Sequence, residues 1–265
     1  MLIFDRNLVR LYRYKASFYN KADSFIFSET TNIILDKLSL FPVSNGLILS
    51  IGCRTDYLVE NLLERKLIFC KDQVVQCDVS YYVLCRVHDG YKVVADDEQL
   101  PFCHKVFDIV VNNLCLHNVN NLFYNLLSIY NLIKKGGIFL ASLFGSKTLY
   151  ELKYSIIRAE MDIGIAPRIM PFVNVQYIIS LLQKSGYSNI VIDVNIIQTQ
   201  YNDIYNLFKD LRRMGEGNVL YVRNRRQLTK SAIKKIFEYY KKYFSVDGVS
   251  IPATFEIITL KGDKA

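Results

Sequence analysis

The residues best placed for chemistry are polar or small residues that directly follow apolar, β-rich runs. Gly52 follows the run 47–51, and Asp78 follows the run 74–77. In open α/β sheets, ligands bind at the carboxyl ends of strands, where a glycine lets the backbone approach a nucleotide. An acid ending the second strand can accept hydrogen bonds from both ribose hydroxyls; the alternative is that Asp78 caps the helix beginning near Ser80.

Two further polar segments follow the next strands. Asp96 comes after the third strand, where a carboxylate can accept from an adenine amino group, and Pro101 fixes the exit of that loop. Asn113 and His117 follow the fourth strand and form a polar tip. We expect both segments to line the same cleft as Gly52.

The elements that position these residues alternate between residues 46 and 144, as in parallel βαβ units. The apolar runs are nearly continuous, as expected for strands covered by helices on both faces. The predicted strands are 47–51, 74–77, 92–95, 107–112 and 138–143. The predicted helices are 57–64, 80–87 and 122–134, the last ending in lysines followed by glycines.

The pattern changes after residue 145. The predicted helices there are 148–161, 174–184, 203–214 and 230–244, with strands at 190–194 and 253–260. Glycine and proline are too scattered to mark a linker, so we predict one α/β domain spanning 1–265. Its parts are an N-terminal helical cap (1–45), a cofactor-binding core (46–145) and substrate-side helices with closing strands (146–265).

Composition excludes several classes of protein. Apolar residues make up 51% and charged residues 22% of the 265 residues, which is typical of a globular protein. The apolar runs fall far short of the roughly 20 residues that span a bilayer, and no secretory signal is recognisable, so we expect a soluble, cytoplasmic protein. The six cysteines form no C-x-x-C pair, which predicts reduced, mostly buried thiols, and the three histidines are too scattered for a metal site.

The formal net charge of +8 has two explanations. A chain rich in Lys, Ile, Asn and Tyr reflects an AT-biased genome, which raises the lysine content everywhere. Basic residues are nevertheless concentrated between Arg212 and Lys242, which predicts a surface for an acidic partner. The basic helices permit nucleic-acid binding, but no base-stacking motif favours it.

The motifs together resemble class I S-adenosylmethionine (SAM)-dependent methyltransferases. The resemblance rests on Gly52, Asp78, the D-x-E-x-LPF segment at 96–102, FDIVVNNLCLH at 107–117 and LIKKGGIFLASLFG at 132–145. It extends to IFDRNLVR, TLYELKYSIIRAE, LRRMGEGN and DGVSIPATFEI, which resemble one branch of that superfamily. The branch contains the malonyl-carrier-protein methyltransferase of biotin synthesis and the mitochondrial complex I assembly factor of methyltransferase fold.

The resemblance implies a seven-stranded, mostly parallel Rossmann-like sheet, a helical insertion before the last strand, and SAM as cofactor. The implied cofactor-binding residues are Tyr19, Ser50, Gly52, Asp56, Asp78, Val79, Asp96, Asp97, Asn113 and Leu114. Tyr19 would close over the cofactor. Asn113 would lie beside the sulfonium, His117 would face the acceptor, and Tyr150 and Arg213 are further acceptor-side candidates.

The loop after the first strand departs from the family pattern acid-x-G-x-G-x-G. Ser50 replaces the acid, and Arg54 and Asp56 replace two glycines. A non-glycine residue in a left-handed conformation costs about 1–2 kcal/mol, although Asp56 is favoured near a helix start and can pair with the cofactor's ammonium group. The loop is therefore remodelled, or SAM binding is weak or lost.

Three functions remain open. The first is methyl transfer to a protein or protein-carried acceptor, such as a malonyl group on an acidic carrier protein. The second is assembly of complex I with hydroxylation of an arginine on a complex I subunit. The third is a non-catalytic scaffold that keeps the fold.

Overall fold

The computed structural model describes residues 2–19, 25–41, 46–161, 168–225 and 228–265. Its helices are α1 (Arg6–Ala16), α2 (Phe25–Leu38), α3 (Tyr57–Glu64), α4 (Tyr81–Leu84), α5 (Leu122–Leu132), α6 (Tyr150–Glu160), α7 (Val175–Lys184), α8 (Ile204–Arg213) and α9 (Lys230–Phe244). Its strands are β1 (Ile48–Ile51), β2 (Val74–Asp78), β3 (Tyr91–Val94), β4 (Phe107–Asn113), β5 (Ile133–Phe144), β6 (Ser188–Tyr201) and β7 (Ile251–Asp263).

The strands form one seven-stranded sheet in the order β3-β2-β1-β4-β5-β7-β6. β1 to β5 are parallel, and β7 runs antiparallel to both β5 and β6. The predicted mostly parallel sheet is confirmed, and so is the helical insertion, because α8 and α9 lie between β6 and β7. The direction of strand order reverses between β1 and β4, which is where an open α/β sheet forms its ligand cleft.

Alternate residues of the central strands face opposite helical layers. Leu49 and Ile51 of β1 pack in a core with α5 and α7. Ile48, the preceding neighbour of Leu49, packs with residues of α2 and α3. Because successive strand side chains point to opposite faces, helices cover both sides of the sheet, as predicted.

Several element boundaries differ from the sequence prediction. The helix expected to end in lysines stops at Leu132, and the following segment is already part of β5. The backbone N–H groups of Lys105 and Val106 donate to the carbonyls of Asn131 and Leu132, so an adjacent loop satisfies the helix end. The predicted glycine cap is therefore wrong. α4 spans four residues rather than eight, and β6 and β7 are longer than expected, at 14 and 13 residues.

Two bulk predictions can be compared with the described ranges. Three cysteines are buried and three are exposed (Cys70, Cys85 and Cys103), so the expectation of mostly buried thiols is only half met. No helix within the described ranges is both long and apolar enough to cross a membrane.

The insertion helix α9 packs against α6 and β7. Tyr240 of α9 is fully buried, and its hydroxyl donates to the carbonyl of Pro252 at 2.7 Å. This hydrogen bond ties the insertion to the start of the last strand.

We expect Tyr240→Phe to lower the free energy of unfolding by about 1 kcal/mol, because it removes one buried hydrogen bond and leaves the shape unchanged. Urea denaturation measures the change. The matched control is Tyr243→Phe on the same helix, where the side chain is exposed and the expected change is within about 0.5 kcal/mol. Equal unfolding midpoints for the two variants would contradict the assignment.

Candidate functional site

Gly52 lies at the end of β1 and is the residue of the loop that only glycine suits. Its φ is +71°, and a Cβ built there would lie 2.0 Å from the Sγ of Cys115. Its N–H donates to the carbonyl of Cys77 at 2.8 Å. The left-handed φ and the close approach of Cys115 would both be unfavourable for a residue with a Cβ. They explain why this position of the family pattern is glycine.

Asp78 ends β2 beside Gly52. Its Oδ1 accepts from the backbone N–H of Ser80 at 2.8 Å. Its Oδ2 is buried and has no hydrogen-bond partner among the described residues. One oxygen thus caps the following turn and the other has no partner, and the role of Asp78 in ribose binding stays a prediction.

The cleft at this position is narrow. It is lined by residues at the ends of β1, β2 and β4 together with α1, and its open volume is about 10 Å³, enough for about one water molecule. The lining residues are Val9, Arg13, Ile51, Gly52, Cys77, Asp78, Val79, Ala95, Asp97, Cys115 and Asn118. Four predicted residues, Gly52, Asp78, Val79 and Asp97, thus come together here.

The N-terminal helix α1 places Arg13 at the cleft and Arg6 on Asp97, one of the residues that line the cleft. Arg6 pairs with Asp96 at 2.6 Å and also with Asp97, and it donates to the carbonyl of Asn118 at 2.9 Å. Although burial opposes ionisation, Arg6 holds the pKa of Asp96 below its ordinary value. Burial raises the pKa of Asp97 despite the attraction of Arg6. Asp96, predicted near an adenine, and its neighbour Asp97 are therefore both bound to an internal guanidinium.

Arg13, two turns further along α1, is only 4% exposed. Its Nη2 donates to the carbonyl of Leu114 at 3.3 Å and to the Sγ of Cys115 at 2.9 Å. Its Nη1 is buried and has no partner among the described residues. Arg13 thus carries an unsatisfied donor at the cleft.

Arg54, the residue in the place of a family glycine, has a left-handed φ of +53°. Its Nη1 donates to the carbonyl of Met214 at 2.6 Å, and its Nη2 donates to the carbonyl of Leu114 at 2.9 Å. The same Nη2 pairs with Glu216 at 2.8 Å. The side chain therefore connects the loop after β1 to the segment after α8.

The two carboxylate oxygens of Glu216 contact two different side chains. Its Oε1 accepts from Arg54, and its Oε2 lies 3.0 Å from the Nε2 of His117. Burial alone would raise the pKa of Glu216, but His117, Arg54 and Arg13 outweigh burial and hold that pKa well below its ordinary value. His117 is 3% exposed and contacts the rings of Phe144 and Phe172.

Asp56 has a position that differs from the predicted one. Its carboxylate accepts from the backbone N–H groups of His88 and Asp89 and from the side chain of Gln76. It lines none of the cavities at the strand ends. The expectation that Asp56 pairs with an ammonium group of the cofactor therefore lacks the required geometry; the carboxylate instead fixes the turn that precedes β3.

Asn113 is also fully engaged in the described structure. Its Oδ1 accepts from Thr30 at 2.9 Å and from Ser142, while its Nδ2 donates to Thr31 at 2.8 Å. This buried network joins α2 to β4 and β5. The predicted place of Asn113 beside a sulfonium stays a prediction, and these contacts show only that the side chain is already ordered.

The other predicted residues are spread more widely. Ser50 is buried inside β1, and Leu114 contributes its carbonyl rather than its side chain to the site. Tyr19 is 40% exposed, and its ring lies under the guanidinium of Arg213. It lines two larger cavities, described below, that flank α1. Tyr150 lines a separate surface groove with Phe244 and is not brought to the cleft.

Two larger cavities flank α1. One, of about 370 Å³, lies between α1 and the loop after β1. The other, of about 870 Å³, has an apolar floor that includes Phe144, Leu152 and Phe255, and Glu216 lies in its wall. A small-molecule site of ordinary size needs about 300–1,000 Å³, so each cavity is large enough to hold a ligand or an acceptor group.

The sequence interpretation missed Arg6, Arg13 and Glu216 as site residues. A usable signal was present, because Arg6, Val9 and Arg13 recur at the spacing of one helical face. Glu216 has no such helical spacing; its one signal was its place in the LRRMGEGN segment, and it reaches the site only through tertiary packing. Among the described residues, no group of three or more His, Cys, Asp or Glu side chains is arranged to hold a metal ion.

Comparisons with known proteins agree with this architecture. The family model of the methyltransferase domain matches residues 49–141. The mitochondrial arginine hydroxylase NDUFAF5 of Homo sapiens is 32% identical over 270 residues, which cover 99% of this chain and 77% of that protein. The malonyl-[acyl-carrier protein] O-methyltransferase of Nitrosospira multiformis is 31% identical over 166 residues, covering 63% of this chain and 52% of that protein.

Among solved structures, phosphoethanolamine N-methyltransferase 2 of Haemonchus contortus in complex with SAM is similar, with a TM-score of 0.53 at 16% identity. The match covers 89% of this chain and 52% of that chain. The predicted resemblance and the Rossmann-like methyltransferase fold are thereby confirmed.

We expect Glu216→Gln to destabilise the protein by about 3 kcal/mol at neutral pH, because it leaves Arg54 without its buried counter-charge. Since the folded-state pKa of Glu216 is lowered, its stabilisation is present above the ordinary value of 4.5 and is lost as the pH falls toward the lowered pKa. The difference between the two proteins should therefore shrink in acid.

Urea denaturation at several pH values measures this difference. Glu238→Gln is the control, because Glu238 is exposed and makes only a 4.0 Å contact with Lys234; its effect should stay within about 0.5 kcal/mol. Parallel stability curves for wild type and Glu216→Gln across the acid range would show that Glu216 is not the group responsible.

Proposed function

Because this chain belongs to the family of NDUFAF5 and carries a methyltransferase domain, we propose that it binds SAM in the cleft at the ends of β1, β2 and β4 and transfers the methyl group to an acceptor on a protein. The observation that carries the proposal is the buried, unpartnered Oδ2 of Asp78 beside Gly52. A buried carboxylate oxygen without a donor is costly. Ribose hydroxyls supply the missing donors.

The residues at the cleft fit the adenosyl part of SAM. Gly52 lets the backbone approach the ligand, and Asp78 accepts from the ribose. The present opening of about 10 Å³ is too small for a nucleoside, so binding requires Arg6 to release Asp96 and Asp97. When bound, SAM supplies a methyl group activated by its sulfonium.

The acceptor side is the 870 Å³ cavity whose wall includes Glu216. Methyl transfer needs alignment of the acceptor and exclusion of water more than it needs acid–base chemistry. A carboxylate acceptor is already ionised. His117, predicted to face the acceptor, is not in the lining of this cavity; its Nε2 lies 3.0 Å from Glu216, which is.

The partner that presents the acceptor is proposed to be acidic. Basic residues are concentrated on α9, where Lys230 and Lys234 are exposed. An acidic carrier protein or an acidic complex I subunit would complement their charge. The cytoplasmic location stays a prediction, because the human relative is named a mitochondrial protein.

A second candidate function is modification of an arginine, as in the name of the human relative, which matches 99% of this chain. The two candidates share the fold and the cleft and differ in the atoms added to the acceptor. Methyl transfer adds a methylene to the acceptor's mass, whereas hydroxylation adds an oxygen.

We expect Asp78→Asn to weaken binding of SAM and of its demethylated product, S-adenosylhomocysteine (SAH), by roughly 10- to 100-fold, because the amide accepts hydrogen bonds from the ribose less strongly than the carboxylate. Isothermal titration calorimetry measures both ligands. Asp72→Asn, an exposed residue just before β2, should bind like wild type. Wild-type protein that binds neither ligand would overturn the proposal.

We expect the protein, incubated with its acidic partner and SAM, to add a methylene to one residue of that partner. Intact-mass and fragment spectra identify the added atoms, and Asp78→Asn is the inactive control. A gain of oxygen, or a gain that does not depend on SAM, would favour the arginine-hydroxylation candidate instead.

A further inference from the structure

Recognition of the amino-acid end of SAM is not explained by the residues assigned so far. Asp78 and Gly52 serve the adenosyl part, and Asp56, the residue predicted to meet the methionine end, is directed toward His88 and Asp89. The methionine end carries a carboxylate, which needs strong donors. A buried carboxylate without a cation or several donors is unfavourable.

The 370 Å³ cavity adjoining the cleft has the right charge for a carboxylate. Its lining includes Arg13, Arg54, Arg86 and Arg213, and no Asp or Glu of the described chain lines it. The narrow cleft on the other side of Arg13 contains Asp78 and Asp97 instead. A ligand that spans both therefore meets carboxylates at one end and guanidinium groups at the other.

The four arginines differ in what they can still bind. Both terminal nitrogens of Arg54 already donate, to two carbonyls and to Glu216. Arg213 pairs with Asp210 and lies over the ring of Tyr19, and Arg86 is exposed. Arg13 alone among them combines burial with a terminal nitrogen, Nη1, that has no partner in the described chain.

The bonded partners of Arg13 are neutral. They are the carbonyl of Leu114 and the thiol of Cys115, and burial raises the pKa of that thiol to about 11, so the thiol stays protonated. A buried guanidinium is held in place by these contacts yet lacks a directly bonded carboxylate. Arg13 also lines both the cleft and the cationic cavity.

We propose that Arg13 binds the carboxylate of the methionine part of SAM through Nη1, so that α1 is a part of the cofactor site. This inference rests on the proposed function, because it takes SAM as the ligand. Nη2 stays on Leu114 and Cys115 and fixes the guanidinium plane, while Nη1 donates to the ligand. The adenosyl part then extends toward Asp78.

The test compares SAH with decarboxylated SAH, which keeps the adenosyl group and the amine and lacks only the carboxylate. Calorimetry on the full chain should show that wild type prefers SAH by roughly 10- to 100-fold, the range expected for a charge-assisted hydrogen bond. Arg13→Gln should abolish most of that preference, while Arg13→Lys, which keeps the charge, should retain part of it. Arg10→Gln, an exposed residue of the same helix, should keep the full preference.

The outcomes separate this inference from the proposed function. An Arg13→Gln protein that weakens both ligands equally and keeps the preference would assign Arg13 a purely structural role and overturn the inference. Wild type that binds both ligands equally would do the same while leaving SAM binding intact. Wild type that binds neither ligand would overturn the proposed function itself.

Discussion

The site depends on the buried ion pair between Arg54 and Glu216. Arg54 connects three segments that are far apart in the sequence: the loop after β1, Leu114 after β4, and the turn after α8. A buried pair needs further hydrogen bonds to offset its lost hydration. Two carbonyls accept from the terminal nitrogens of Arg54, and His117 lies against the second oxygen of Glu216. The Nε of Arg54 has no hydrogen-bond partner among the described residues. The pair thereby joins the loop after β1 to the wall of the 870 Å³ cavity.

The pair between Arg54 and Glu216 explains how the loop after β1 accommodates an arginine in place of a glycine. A left-handed φ at Arg54 costs about 1–2 kcal/mol relative to glycine. The side chain offsets that cost with three hydrogen bonds, one of them to a carboxylate, and such charge-assisted bonds are the stronger kind. The ion pair of Arg54 with Glu216 therefore stabilises the altered loop. Gly52, where a Cβ would collide with Cys115, is still a glycine.

The helix α1 divides the ligand space. Arg13 lines the narrow cleft and Arg6 binds Asp97, which also lines it, while Tyr12 and Lys15 line the large cavity. Movement of one helix therefore changes access to both sides of the proposed reaction. Because the contacts of Arg6 with Asp96 and Asp97 are ionic and only partly exposed, that helix is held more firmly than a surface ion pair alone would hold it.

The sequence by itself determined the order of strands and helices, the sheet, and the positions of Gly52 and Asp78, because apolar periodicity and strand ends are local patterns. It did not determine where α5 ends, since a neighbouring loop satisfies the last carbonyls of that helix. It also did not determine that Asp56 turns toward residues 88 and 89, or that Tyr150 lies in a separate groove. Arg13, Arg54 and Glu216 became site residues only in the tertiary structure, because the partners of a buried charge are set by long-range packing and not by sequence spacing.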